Sequence, residues 1–442
     1  MSKFQKGFLT GAATAAHQVE GNNVHSDYWA MEHMQYSSFA EPSLEAVDHY
    51  HRYEEDIKMM AEAGLNAYRF SIEWARIEPV QGQYDEAEIG HYRRVLECCM
   101  ENGIEPVVTL MHFTSPKWLI EKGGWENEET IGLFANYCRY VVEKLGSYMH
   151  YVCTINEANM GLQIAAISER FKKQMMARMQ QANSVKEAAK DVEGSVQVGL
   201  NMQKMMENMQ KQSTENMEVF GTATPQVFVS ARTPEGDLLV MRAHQAAKKA
   251  IREVNPKLQV GITLSLHDIQ VKEGGEKIAA KEWESEFSHY VPYIKDDDFF
   301  GLQNYTRSVY DADGICAAPE GAPLTQMDYE IYPQALENCI RRVAKELDIP
   351  IIVTENGIAV ADDTLRVDFI GKATDGVAAC IRDGIPVKGY MYWSLLDNFE
   401  WQKGYSMTFG LISVNRGTQE RTAKPSLAYL GSLQEKTGAG NL

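Results

Sequence analysis

No stretch of about 18 apolar residues occurs in this 442-residue chain, so nothing in it reads as a transmembrane helix. Cysteine is sparse and unpatterned. Cys98, Cys99, Cys138, Cys153, Cys316, Cys339 and Cys380 are odd in number, irregularly spaced and form no CxxC. That excludes a disulfide framework and predicts buried, reduced thiols. Metal ligands do not cluster either. His49 and His51 stand two apart in DHYHRYEED without partner ligands, so no metal and no other cofactor is expected. Positive charge is short: 43 Lys plus Arg against 61 Asp plus Glu leave a net charge of −18. A polyanion repels phosphate backbones and anionic lipid, so neither nucleic acid nor a membrane is an expected partner. The opening residues MSKFQKGFLTGAATAAHQVEG lack the flanked apolar run of a secretion signal, which predicts a cytoplasmic protein. A glycine-rich phosphate turn is missing too, since GAATAAHQ is not one.

What is present is 44 % apolar and 24 % charged residues, the balance of a soluble globular protein. Short apolar runs at 8–14, 65–72, 104–111, 150–156, 259–266, 298–303, 350–355 and 387–394 read as eight strands. Helical patterns lie between them at 48–63, 86–102, 128–146, 238–254, 333–347 and 368–383. Alternating βα units imply parallel strands and right-handed crossovers. Eight of them predict one α/β domain over 1–442, a (β/α)8 TIM barrel, in preference to a doubly wound open sheet. One connection is long: 160–237 joins the fourth strand to its helix. Its Met-rich part, 171–217, holds Met175, Met176, Met179, Met202, Met205, Met206, Met209 and Met217. Met202, Met205, Met206 and Met209 recur at i, i+3, i+4, i+7. This predicts a helical hairpin on the catalytic face, its Met stripe packed on the barrel or serving as an adaptable apolar lid.

Catalytic groups of such barrels stand at the C-terminal strand ends. There the sequence places Gln18 and Glu20, Arg69, His112, Asn156 and Glu157, then Gln303, Asn304 and Tyr305, then Glu355 and Asn356, then Trp393, Asp397, Asn398, Glu400 and Trp401. A single strand-end Glu can be a salt bridge or a helix cap. Two of them among amides, imidazole and indoles suit a glycosidic bond. One carboxylic acid protonates the leaving oxygen; a second carboxylate attacks or directs water.

The motifs FLTGAATAAHQVEG, DHYHRYEED, RFSIEWARIEP, TINEA, VTENGI, YWSLLDNFEW, FGLISV and RTAKPS follow one another along the chain. In them the chain resembles glycoside hydrolase family 1, the retaining β-glycosidases with a (β/α)8 barrel. The resemblance spans nearly everything but the Met-rich insert. It implies that Glu157 is the general acid/base and Glu355 the nucleophile, with Arg69 and Tyr305 contacting the nucleophile. It implies that Gln18, His112, Asn156, Glu400 and Trp401 hold the terminal sugar, that Trp393 lies beneath it, and that Phe409 stands near its C6 end. The family's frequent Asn-Tyr-Tyr is Gln303-Asn304-Tyr305 here, and the sugar-side amide is assigned to Gln303, which shares a strand face with Tyr305. The usual Pro after the acid/base Glu is replaced by Ala158 and Asn159, which predicts a looser start to the fourth loop.

The expected activity is that of an exo-β-glucosidase on small β-glycosides, with side activity on β-fucosides and β-galactosides, as monomer or homo-oligomer. The alternatives are a 6-phospho-β-glucosidase, with Lys403 in a phosphate pocket, and a catalytically inactive sugar-binding relative. Glu400 argues against the first and the retention of both acids against the second.

Overall fold

The computed structural model describes residues 3–180 and 201–434. Eight parallel strands close a barrel: β1 (Leu9–Ala13), β2 (Ala67–Ser71), β3 (Glu105–Met111), β4 (Tyr151–Ile155), β5 (Gln259–Ser265), β6 (Phe299–Gln303), β7 (Ile351–Asn356) and β8 (Val387–Trp393). Each strand pairs with its neighbours in sequence. β1 closes on β8, with Leu9 opposite Gly389 and Ala13 opposite Trp393. The expected (β/α)8 barrel is the observed one, and every strand lies inside its expected segment except β7, which runs one residue further.

The strands are buried on both faces, which is why they read as continuous apolar runs rather than alternating ones. Close packing shows at Gly11, where a Cβ would stand 2.0 Å from the Ala67 carbonyl oxygen. The outer ring is formed by α1 (His49–Ala63), α2 (Glu86–Glu101), α3 (Glu129–Leu145), α4 (Pro234–Val254), α5 (Glu276–Glu286), α6 (Ala335–Val343), α7 (Asp363–Arg382) and α8 (Pro425–Gly431). Their ends carry ordinary signals. The Asp85 side chain accepts from the N–H groups of Ala87 and Glu88 to open α2. Thr233 accepts from Gly236 to open α4, with Pro234 in the first turn; this Thr-Pro start sets the helix four residues earlier than its apolar periodicity. Gly64 closes α1 at φ +96°.

Two helices, Met160–Gln180 and Met202–Phe220, lie in the connection between β4 and α4. The second is held by polar ties and by Phe220, which is buried with Met34, Ile120 and Val227. Glu215 accepts from the Gln35 and Tyr36 N–H groups at 2.5 and 3.0 Å, and Lys204 donates to the Phe39 carbonyl at 2.8 Å. Met205 packs on the core, but Met209 is 68 % and Met217 53 % exposed. Of the expected Met stripe, Met205 therefore packs on the core while Met209 faces out. The stretch 181–200 and the side chains of Met175, Met176, Met179, Met202 and Met206 lie outside the described residues. Small sheets that the sequence reading did not anticipate decorate the catalytic rim. Asp268–Val271 pairs with Arg307–Asp311, which pairs with Gly314–Ile315, and Ile412–Val414 pairs with Arg421–Ala423. Among the described residues no helix is long and apolar enough to cross a membrane.

Candidate active site

The site begins with a cation in the barrel. Arg69, in the middle of β2, is fully buried. Its guanidinium donates to Glu355 Oε1 at 2.5 Å, to Asn156 Oδ1 at 2.6 Å and to Thr109 Oγ1 at 3.1 Å. A buried guanidinium needs that many acceptors, and these three lie on β7, just after β4 and on β3. Glu355 Oε2 accepts from the Tyr305 hydroxyl at 2.5 Å, and Oε1 also accepts from Gln303 Nε2 at 3.0 Å. The ladder of β7 slips beside Glu355, against β6 and against β8. Such irregularities re-aim side chains at a barrel rim. Gly357 follows because a Cβ there would stand 1.9 Å from the Trp393 carbonyl oxygen.

Glu157 follows β4 with a left-handed φ of +44°. For a glutamate this backbone costs energy and persists only if its surroundings enforce it. They do. The Glu157 N–H donates to Thr263 Oγ1 at 2.8 Å, and the Ala158 N–H donates to the Thr263 carbonyl at 3.0 Å. The buried Asn159 amide accepts from the Ser265 N–H at 3.0 Å and donates to the Ser265 and Glu286 carbonyls at 2.7 and 3.0 Å. The absence of Pro therefore does not loosen this turn; Asn159 ties it to β5 and α5.

The two carboxyls differ. Burial, and then the Glu355 charge, push Glu157 well above the usual carboxylate range. Burial raises Glu355 as well, while Arg69 and Tyr305 pull it back down. Burial acts on both, and only Glu355 has a guanidinium and a hydroxyl in direct contact to offset it.

Above them lies a pocket of about 580 Å³ lined by His112, Asn156, Glu157, Tyr305, Glu355, Trp393, Glu400, Trp401 and Phe409, all expected, and by Phe113, Met160, Gln163, Ser265 and Tyr329. The His112 ring packs between Trp393 and Trp401, at 5.7 and 6.2 Å with interplanar angles of 22° and 24°. Burial and the Arg69 charge hold His112 far below its usual value, so it is neutral. Asn156 Nδ2 donates to His112 Nε2 at 3.1 Å, which leaves the ring proton on Nδ1, an atom without a protein partner. Gln18 stands behind Glu400: its Nε2 donates to the Phe399 carbonyl at 2.7 Å and to Glu400 Oε2 at 3.3 Å, and its Oε1 is unpartnered. Burial, and then the Glu355 charge, push Glu400 up to about 8. Gln18 itself is not among the lining residues and meets the pocket through Glu400. Unpartnered buried polar atoms are rare, and the one on His112, in the lining, suits a ligand hydroxyl.

Gln303 departs from its expected place. It does not line the pocket, because its amide is committed below the floor to Asn156 Oδ1 at 2.7 Å, to Thr263 and to Glu355. Asn304 is likewise turned away, toward the carbonyls of Leu266 and Thr306. Lys403 is not among the lining residues, and among the described residues the lining includes no Lys or Arg. Cys153 is buried in the barrel. His49 is occupied by Asp56 and Tyr68, and His51 by Asp48.

Ser265 ends the fifth strand, whose end residues the sequence reading passed over. Met160 and Gln163 are legible as helix positions three and six beyond Glu157. Tyr329 comes from an irregular loop and has no sequence signal. His17, next to Gln18, was missed as well. It stacks on Trp401 at 6.1 Å and 6°, and its Nε2 is 2.5 Å from Glu32.

The comparisons fall on this frame. The family model described as Glycosyl hydrolase family 1 matches residues 1–439. A β-glucosidase from an Agrobacterium strain is 30 % identical over 100 % of this chain and 97 % of its own. The solved β-glycosidase BGL167 is 45 % identical, with a TM-score of 0.84 over 97 % of this chain and 96 % of its own. The Thermotoga maritima β-glucosidase in complex with cyclophellitol is 26 % identical, with a TM-score of 0.76 over 98 % of each chain.

Proposed function

The chain belongs to glycosyl hydrolase family 1, and on that premise we propose that it is a retaining exo-β-glycosidase, with terminal β-D-glucosyl residues as its main substrate. The whole chain acts as one catalytic domain, with 160–237 as part of its catalytic face. Glu355 attacks the anomeric carbon from one side while Glu157 donates its proton to the departing oxygen. The C–O bond to the aglycone breaks and an ester to Glu355 forms. Glu157, now a carboxylate, takes a proton from water or an acceptor alcohol, whose oxygen displaces Glu355. The same residue serves both steps because esterification removes the Glu355 charge that raises it. Arg69, Tyr305 and Gln303 keep the nucleophile ionised and aimed; Asn156 bridges Arg69 to His112.

The observation that carries this reading is the asymmetric pair: one buried carboxyl bonded by three donors, the other raised beside it, both under an aromatic pocket. Gln18, His112, Glu400 and Trp401 are assigned to the sugar hydroxyls, Trp393 to its lower face and Phe409 to its C6 end. Fucosides and galactosides differ from glucosides at C6 and C4, where one carboxyl and one indole sieve weakly, so side activity on both is expected. A 6-phosphoglycoside is disfavoured: a phosphate there would meet Glu400 and find no cation among the described lining residues.

The test is turnover of p-nitrophenyl β-glucoside, β-fucoside, β-galactoside and β-glucoside 6-phosphate side by side. Turnover of the neutral three, lost in Glu355→Gln, supports the reading. Turnover of the phosphorylated substrate alone replaces it with the phospho-glycosidase, and no turnover at all with a sugar-binding protein.

A further inference from the structure

A second cleft, of about 900 Å³, adjoins the sugar pocket, and Gln163 and Tyr329 line both. One wall is a stripe of the Met160–Gln180 helix: Leu162, Gln163, Ala166, Ile167 and Arg170, spaced as one helical face. The facing wall is the small rim sheet and the loop after it, with Val309, Tyr310 and Ile315. Both walls come from the parts of the chain least like the plain barrel.

The chemistry of the two spaces is opposite. The sugar pocket presents Trp393, Trp401, Phe409, Phe113 and His112. In the second cleft the described aromatic lining residues are Tyr310 and Tyr329, 4 % and 7 % exposed, which offer little ring face, and His267, which Glu286 holds. A second sugar ring would find no flat platform there. Much of the charge in the cleft is already used. Arg307 holds Glu330 with two bonds of 2.8 and 2.9 Å and lies over the Tyr332 ring. Glu286 accepts from the His267 N–H at 3.0 Å and faces its Nδ1 at 2.8 Å. What remains is an aliphatic strip, with Leu162, Ala166 and Ile167 on one side and Val309 and Ile315 on the other. It is edged by Gln163, Ser285, Thr306, Ser308 and Asp328, and Arg170 and Glu282 are also in the lining. Arg170 Nε is buried and unpartnered.

We propose that this cleft is built for the aglycone, and that it takes an extended aliphatic body carrying a hydrogen-bonding group at its far end, rather than further sugar units. The inference rests on the β-glycosidase reading above. Contact with a long apolar aglycone anchors the substrate beyond the scissile bond, and binding energy from that remote part lowers the barrier at the sugar. Each buried methylene adds to it, so kcat/KM should climb with chain length.

The experiment compares methyl, hexyl and octyl β-glucoside, below micelle-forming concentrations, with cellobiose and cellotriose. We expect kcat/KM to rise roughly tenfold or more from methyl to octyl, with cellotriose no better than cellobiose. A flat alkyl series, or a preference for cellotriose over octyl β-glucoside, would overturn the proposal. Ala166→Glu and Val309→Glu should each cut the octyl-to-methyl ratio toward one; a ratio that stays at the wild-type value contradicts the assignment of these walls. Should either variant fail to fold, calorimetry on the wild-type protein decides, with the non-cleavable octyl and methyl β-thioglucosides. Octyl should bind at least about tenfold tighter, and equal affinities overturn the proposal. Binding of both thioglucosides without turnover of any β-glycoside would count against the hydrolase reading and leave the cleft standing.

Discussion

The sugar pocket and the aglycone cleft lie side by side and are built on different rules. In the pocket most polar side chains have a named partner, and three lining residues sit at left-handed φ: Phe113 at +68°, Glu157 at +44° and Trp401 at +45°. Such strained positions hold only where strands, stacked rings and buried bonds over-determine them. The cleft is walled by a helix of the long connection and by a short rim sheet, with aliphatic side chains facing one another. A site that must place two carboxyls about one carbon needs rigidity. One that must admit a variable leaving group needs only shape and apolar surface.

Four changes test that division, and the first three should act on the pocket alone. Glu355→Ala should lower kcat on every glycoside by about 10⁴-fold or more. Azide should restore turnover and yield the α-glycosyl azide, which product NMR reads. Glu157→Ala should cost about 10³-fold on alkyl glucosides and far less on dinitrophenyl β-glucoside, whose leaving group needs no proton. A uniform loss across leaving groups would remove Glu157 from the acid role. Asn159→Ala should lower kcat by about tenfold. It should also move the basic limb of the pH–rate profile to lower pH, because a turn freed from β5 lets water reach the Glu157 carboxyl. In all three the octyl-to-methyl preference should survive; if it moves with them, pocket and cleft are not separate devices.

The smallest effect concerns stability. Burial pushes Asp27 up to about 8, although the Ser115 and Tyr28 N–H groups donate to its Oδ1. A carboxyl raised in the folded state binds its proton more tightly there than in the unfolded chain. Its contribution to stability is therefore present at low pH and is lost as pH rises from about 4 toward 8. Glu400 behaves alike. Asp27→Asn should flatten the fall in Tm between pH 5 and pH 8.5, and an unchanged slope would mean Asp27 is ionised throughout.

The barrel was legible because strands buried on both faces write continuous apolar runs, and because helices announce themselves by period and cap. The strand-end residues were legible for the same reason: once the strands are placed, position alone brings Arg69, Asn156, Glu157 and Glu355 together. What was not legible is whatever depends on the depth of a side chain. Gln303 and Tyr305 read as one strand face, but β6 ends at Gln303, so Tyr305 is free to reach the pocket while the Gln303 amide stays bound to Glu355. Asn159 read as a missing proline, whereas its three bonds reach Ser265 and Glu286, over a hundred positions away. Tyr329, in an irregular loop, follows no period at all. The Met periodicity does not announce the polar ties that Lys204 and Glu215 add to that helix.

The central claim is that Glu355 carries the sugar between the two steps. The direct measurement is incubation with 2-deoxy-2-fluoro-β-glucosyl fluoride, followed by peptide mass spectrometry. The fluorine at C2 slows both steps and the fluoride leaves readily, so the ester should accumulate. One fluoroglucosyl group per chain, on the peptide bearing Glu355, with activity recovering as the ester turns over, is the expected result. A label on another residue, or release of the α-anomer with no labelled protein, would contradict it.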